Sequence, residues 1–135
     1  MISTFYETIN IVVNISGNCR KDIHKALTEA IAGMGFTVSH ASDNADIIIK
    51  GTAEILNLDL NDPVWFFVRW SADFQLINCR DNSIFGRFKF SGKEGHLSTD
   101  EAENKAVYAM GKRVAAETDR YISKYLFRLP DLNLN

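Results

Sequence analysis

The sequence predicts a two-layer α+β domain, with two helices on one face of a mostly antiparallel sheet in the order β-α-β-β-β-β-α. Three observations carry this prediction. Apolar residues recur at helical spacing in two segments, near residues 19–34 and 99–127. Between them, three long runs alternate apolar and polar side chains at strand spacing. Short clusters of Asn, Asp and Ser separate those runs, as tight antiparallel connections require.

Phe5–Ser16 reads as the first strand, with Ile9, Ile11, Val12, Val13 and Ile15 supplying β-branched bulk. Gly17-Asn18 breaks it. A helix follows from about Cys19 to Met34, its stripe made by Ile23, Ala26, Leu27, Ala30, Ile31 and Met34. Gly35 suits the position just past its end. Phe36–His40 is a short strand and Ser42-Asp43-Asn44 a turn. Ala45–Leu60 is a long extended run whose apolar phase changes. Odd positions (Ile47, Ile49, Gly51, Ala53, Ile55) give way to even ones (Leu56, Leu58, Leu60), which predicts a β-bulge near Ile55–Leu56.

After the Asn61-Asp62-Pro63 turn, Val64–Cys79 alternates cleanly. Phe66, Val68, Trp70, Ala72, Phe74 and Leu76 point to the core, while Arg69, Ser71, Asp73 and Gln75 point to solvent. Arg80–Ser83 connects to a last strand, Ile84–Ser91, with Ile84, Gly86, Phe88 and Phe90 inward. Gly92–His96 reads as a flexible connector. Ser98-Thr99-Asp100-Glu101 then forms a capping box that opens a helix from Thr99 to about Phe127, with a stripe of Ala102, Ala106, Ala109, Met110, Val114, Ile122 and Leu126. Residues 1–127 are thus one domain, and 128–135 a loose tail.

Composition narrows the function classes. The 135 residues carry 15 Lys and Arg against 17 Asp and Glu, a net charge of −2, and 46% are hydrophobic. That balance disfavours disorder and a broadly basic nucleic-acid binder. The N-terminus has no secretory signal and no run is long enough to span a bilayer. The expected location is periplasmic or envelope-associated if the chain is an excised domain, and cytoplasmic if it is complete.

The sequence holds few candidates for chemistry. His24, His40 and His96 form no H-x-x-x-H pair, and no C-x-x-C is present, so neither a metal nor another cofactor is expected. Cys19 and Cys79 leave a disulfide open. Cys79 with His96 and Glu94 is the best available nucleophile–base set, and a small enzyme or ligand-binding protein with a pocket between helices and sheet is the alternative it would support. Gly86…Gly92-Lys93 has the wrong spacing for a phosphate loop, and Asp100 and Glu101 stand where phosphate would sit. Asn14-Ile15-Ser16 matches a glycosylation sequon inside a predicted strand, where chance explains it better.

The outward face of the three long strands is more informative. It carries Lys50, Thr52, Glu54, Arg69, Ser71, Asp73, Gln75, Arg87 and Lys89, a mosaic of both charge signs. Trp65, Phe67 and Phe85 fall on this side too. Exposed aromatics beside Arg mark contact surfaces, which makes Trp65, Phe67, Arg69, Phe85 and Arg87 the expected partner-binding residues. Stacking on single-stranded nucleic acid is the weaker use of the same strip, because it offers few cations.

Three segments together resemble small α/β modules of bacterial envelope proteins. They are Gly35-Phe36-Thr37-Val38 after the first helix, residues 44–55 with Ala45-Asp46 and Gly51, and residues 91–106 with Ala102 and Ala106. Similar modules include the N-terminal domain of the Tol-Pal translocation protein TolB, the curli-secretion lipoprotein and the lipoprotein activators of penicillin-binding proteins. The resemblance implies a sheet backed by helices, acting without catalysis as a protein-binding or assembly module. A protein partner or a second copy would use the open sheet face or an edge strand.

Overall fold

The computed structural model describes residues 9–39 and 44–126. Within them lie β1 (Asn10–Ser16), α1 (Arg20–Gly33), β2 (Thr37–Ser39), β3 (Ile47–Leu58), β4 (Phe66–Asn78), β5 (Ser83–His96) and α2 (Thr99–Leu126). The expected strand residues Phe5–Thr8 and His40, most of the Ser42–Asn44 turn, and the tail from Phe127 lie outside the described residues.

The five strands form one sheet in the order β2-β1-β3-β4-β5. It is mixed, which corrects the mostly antiparallel expectation. β1 pairs in parallel with both β2 and β3, whereas β3–β4 and β4–β5 are antiparallel. The reason is the α1 crossover, which returns the chain to the starting end of β1 so that β2 must run alongside it.

Both helices cover one face. β1 contributes Ile11 and Val13 to the core, β3 contributes Ile47, Ile49 and Ala53, and β4 contributes Val68, Trp70, Ala72, Phe74 and Leu76. α1 buries Ile23, Leu27 and Ile31, the centre of the predicted stripe. α2 buries Ala102, Ala106, Met110, Gly111, Val114, Thr118 and Ile122. Its 28 residues rise about 42 Å, enough to cross the sheet.

Local interactions fix the element ends. Gly35 takes φ +94°. Its amide donates to the Ala32 carbonyl and the Phe36 amide to that of Ile31, a Schellman motif that closes α1 and drops Phe36 into the core. Ser98 Oγ accepts the Glu101 amide at 3.1 Å, as the capping box predicts. The Asn18 side chain bonds both the amide and the carbonyl of Ile55, prolonging the pairing of β3 beyond the end of β1. Asp46 ties three strands together. Its carboxylate accepts the Asn10 amide, its own amide donates to the Asn10 carbonyl, and its carbonyl accepts the Cys79 amide.

Three expectations about strand phase are corrected. β3 has no bulge at Ile55–Leu56, because its register with β4 runs unbroken from Ile47↔Asn78 to Leu58↔Phe67. The apolar even positions there turn outward instead, leaving Leu56 62% exposed. The irregularity lies between β4 and β5, where Leu76↔Gly86 is followed by Ile77↔Ile84 and Phe85 becomes the extra residue. A one-residue slip exchanges the faces, so Ile84 is exposed and Phe85 packs against the core. Gly92–His96, expected as a connector, is the second half of β5. Its glycines make that possible: Trp70 lies across Gly92 and Phe67 across Gly95, each ring filling the space a side chain would need.

Candidate functional site

The face of the sheet away from the helices is built in cross-strand rows. At one end Val12, Ile48, Ile77 and Ile84 align. Polar rows follow: Asn14, Lys50, Gln75 and Arg87, then Ser16, Thr52, Asp73 and Lys89, then Glu54, Ser71 and Ser91. The far end closes with Leu56, Arg69 and Lys93, then Leu58, Phe67 and Gly95. The strand pairing of Gly92–His96 adds Lys93 to this face. Its cations are therefore Lys50, Arg69, Arg87, Lys89 and Lys93 against the anions Glu54 and Asp73. In a chain of net −2, that concentrates positive charge on one face.

The five expected contact residues divide. Phe67, Arg69 and Arg87 do share the open face. Arg87 lies eight β4 positions from Phe67 by register (opposite Gln75), roughly 27 Å away at strand rise, so the three do not form one compact site. Trp65 is not on a strand. It stands in the β3–β4 connection, 47% exposed, where Asp62 Oδ1 accepts the backbone amides of Val64 at 2.9 Å and Trp65 at 2.8 Å. Those two bonds hold the Asp62 carboxyl below the usual carboxylate range. Phe85 leaves the set altogether. The β-bulge turns it to the helix side, where it stacks on Tyr125 with ring centroids 4.0 Å apart.

The structure gathers a different group at the β3–β4 hairpin end. Of eight exposed large hydrophobic side chains among the described residues, six lie there: Leu56, Leu60, Val64, Trp65, Phe66 and Leu97. Phe66 pairs with His96, which brings Leu97 beside the hairpin. Phe67 joins them, with the Lys93 ammonium 5.3 Å from its ring centroid. The sequence did signal this patch. The shift of apolar phase at Ile55–Leu56 marks a strand whose second face also becomes apolar, a pattern that reads equally as a bulge.

The alternative set for chemistry is dispersed. Cys79 follows the last residue of β4, whereas His96 pairs with the first. They stand a strand length apart, about 40 Å at that rise. Glu94 accepts from Trp70 Nε1 at 3.4 Å, and His96 faces the Glu101 carboxylate at the start of α2. Burial, then the Asp46 charge, pushes the Cys79 thiol above its ordinary pKa. Burial, followed by Asp22, Glu103 and Glu54, pushes Cys19 to about 11. Both cysteines are free, and their backbone partners, Ala53 and Asp46, sit seven positions apart along the β3 segment. Among the described residues no cluster of three His, Cys, Asp or Glu could hold a metal ion.

One open groove, about 360 Å³ in volume, lies outside the core, beside β1 past the end of β2. Val13, Asn14 and Ile15 line one side, and Arg20, Lys21 and His24 of α1 the other. Among the described residues no helix is long and apolar enough to cross a membrane.

Comparison with known proteins places the fold. No protein-family description matches the sequence, and no curated protein matches it. Solved structures do. A minor lipoprotein from Acinetobacter baumannii aligns with a TM-score of 0.62 at 11% identity, over 84% of this chain and 95% of that one. A lipoprotein from Caulobacter crescentus aligns at 0.51 and 18% identity, over 98% and 96%. The PelC dodecamer from Paraburkholderia phytofirmans aligns at 0.53 and 13% identity, over 82% and 87%. The fold of this chain is thus one that bacterial lipoproteins use.

Proposed function

We propose that this domain is a non-catalytic protein-binding or assembly module of a bacterial cell envelope, working through the β3–β4 hairpin end of its sheet. The observation that carries the reading is the gathering of Leu56, Leu60, Val64, Trp65, Phe66 and Leu97 at that end. Most soluble monomers do not concentrate exposed apolar side chains in this way, and those that do use them for contact. The fold shared with bacterial lipoproteins supports the envelope setting. The dodecameric state of one fold relative supports assembly as a use of this architecture. Within that class, the Gly-Phe-x-Val, Ala-Asp and Ala-x-x-x-Ala segments favour a module of the TolB N-terminal, curli-secretion or penicillin-binding-protein-activator type.

The test is association. Light scattering coupled to size exclusion, together with capture of envelope proteins, is run on the wild type and on Trp65→Ala/Phe67→Ala. Trp65 is exposed in the connection and Phe67 half-buried over Gly95. The double variant should therefore lose self-association or capture. Trp65→Ala alone, which leaves the Phe67 ring in place, should weaken it with an unchanged circular-dichroism spectrum. Association that survives both substitutions would overturn the surface assignment.

A further inference from the structure

Resting on that reading, we infer that the occupant of the hairpin end is a second copy of this chain, with the two β3–β4 hairpins overlapping antiparallel about a two-fold axis near Phe67. The size of the patch fits. Phe66 alternates with Val68 and Trp70 onto the helix side. The other five large apolar side chains there, each about half exposed, amount to on the order of 500 Å². That is most of the about 800 Å² that each partner gives to a stable interface.

The order of charges along the hairpin selects the partner. The connection at the apex carries Asp59 and Asp62. Next comes the apolar row Leu58, Phe67 and Gly95, then the row Leu56, Arg69 and Lys93. Successive rows are about 7 Å apart. From the apex inward, acidic, apolar and basic groups therefore follow one another. An antiparallel overlap centred on the apolar row sets the apex carboxylates of each copy over the basic row of the other. A two-fold contact repeats that match twice.

The basic row holds no anion of its own; Glu54 stands in the next row along the face. Arg69 and Lys93 stand directly opposite each other, a placement that is unfavourable for like charges. Among the described residues neither has a carboxylate at ion-pair distance, since the ion pairs there join His96 to Glu101 and Arg120 to Glu117. The apex carboxylates also decide against a lipid surface. Inserting Trp65 and Phe66 into a bilayer would carry Asp59 and Asp62 toward the acyl chains with no cation to meet them. Edge-to-edge pairing of two β5 strands is disfavoured as well, because Arg87, Lys89 and Lys93 would line both edges.

A charge-swap experiment by sedimentation velocity tests the arrangement. One variant carries Asp59→Lys/Asp62→Asn, where Asn keeps the oxygen that accepts the Val64 and Trp65 amides. The other carries Arg69→Glu/Lys93→Glu. Unchanged circular dichroism establishes that each is folded. Each alone should dimerise about 100-fold more weakly than the wild type, since the lost match occurs twice. An equimolar mixture should recover a heterodimer. A mixture that stays monomeric, or single variants that dimerise like the wild type, would overturn the two-fold arrangement. So would a wild-type chain that stays monomeric and binds phosphatidylglycerol vesicles instead. The broader assembly reading fails separately, only if Trp65→Ala/Phe67→Ala leaves all association intact.

Discussion

A single missing side chain decides how several strands meet. Gly51 lies under Phe74, and a Cβ placed there would stand 2.3 Å from the ring. Phe74 is fully buried and stacks on Phe88 at 5.4 Å, so it has no room to move. Gly51→Ala should cost about 1–3 kcal/mol as overpacking, a fall of roughly 3–10 °C in Tm. Gly33→Ala adds the same methyl near the end of α1 with nothing within 4 Å. It should be neutral or slightly stabilising. Thermal denaturation of the two variants side by side separates packing from the general effect of losing a glycine. A second single residue lacks an explanation: Thr118 is fully buried in α2, and its hydroxyl finds no hydrogen-bond partner among the described residues.

At the scale of the element, termini are set by short-range chemistry. Ser98 caps α2 through the Glu101 amide, but Glu101 does not complete the reciprocal half of the box, since its carboxylate faces His96 on β5. The capping pair thus fastens the helix start to the last strand. Ser98→Ala should cost about 1 kcal/mol, measurable as a lower urea midpoint with an unchanged slope. β5 shows how an element escapes sequence reading. Gly-Lys-Glu-Gly is a loop signal locally. Trp70 and Phe67 on β4 override it by laying their rings across the two glycines. The bulge at Phe85 escaped for the same kind of reason: register belongs to a pair of strands, and one strand's alternation cannot report it.

At the scale of the molecule, the sheet has a strong half and a weak half. β3, β4 and β5 pair along twelve or more residues each, while β2 is three residues long and joins the sheet through β1 alone. Hydrogen exchange should therefore find the slowest amides in the centre of β4 and the fastest among the strands in β2, with β2 opening below the global unfolding free energy. Equal protection across the five strands would contradict this division. The same asymmetry places the candidate contact surface on the rigid half, at the hairpin end of its two longest ladders.

The sequence by itself determined the two helices, the capping of α2, the Schellman end of α1, the alternation of β4 and the placing of both helices on one face. These depend on neighbours within a turn or a strand, where spacing and side-chain chemistry act directly. It also determined that Phe67, Arg69 and Arg87 face away from the core. Only the tertiary structure decided that the sheet is mixed, that Phe85 turns inward and that Lys93 joins the open face. It also decided that the Leu56–Leu60 phase change exposes a surface rather than bending a strand. Each of these depends on what lies across from a residue, and cross-strand partners are chosen by packing between segments far apart in the chain.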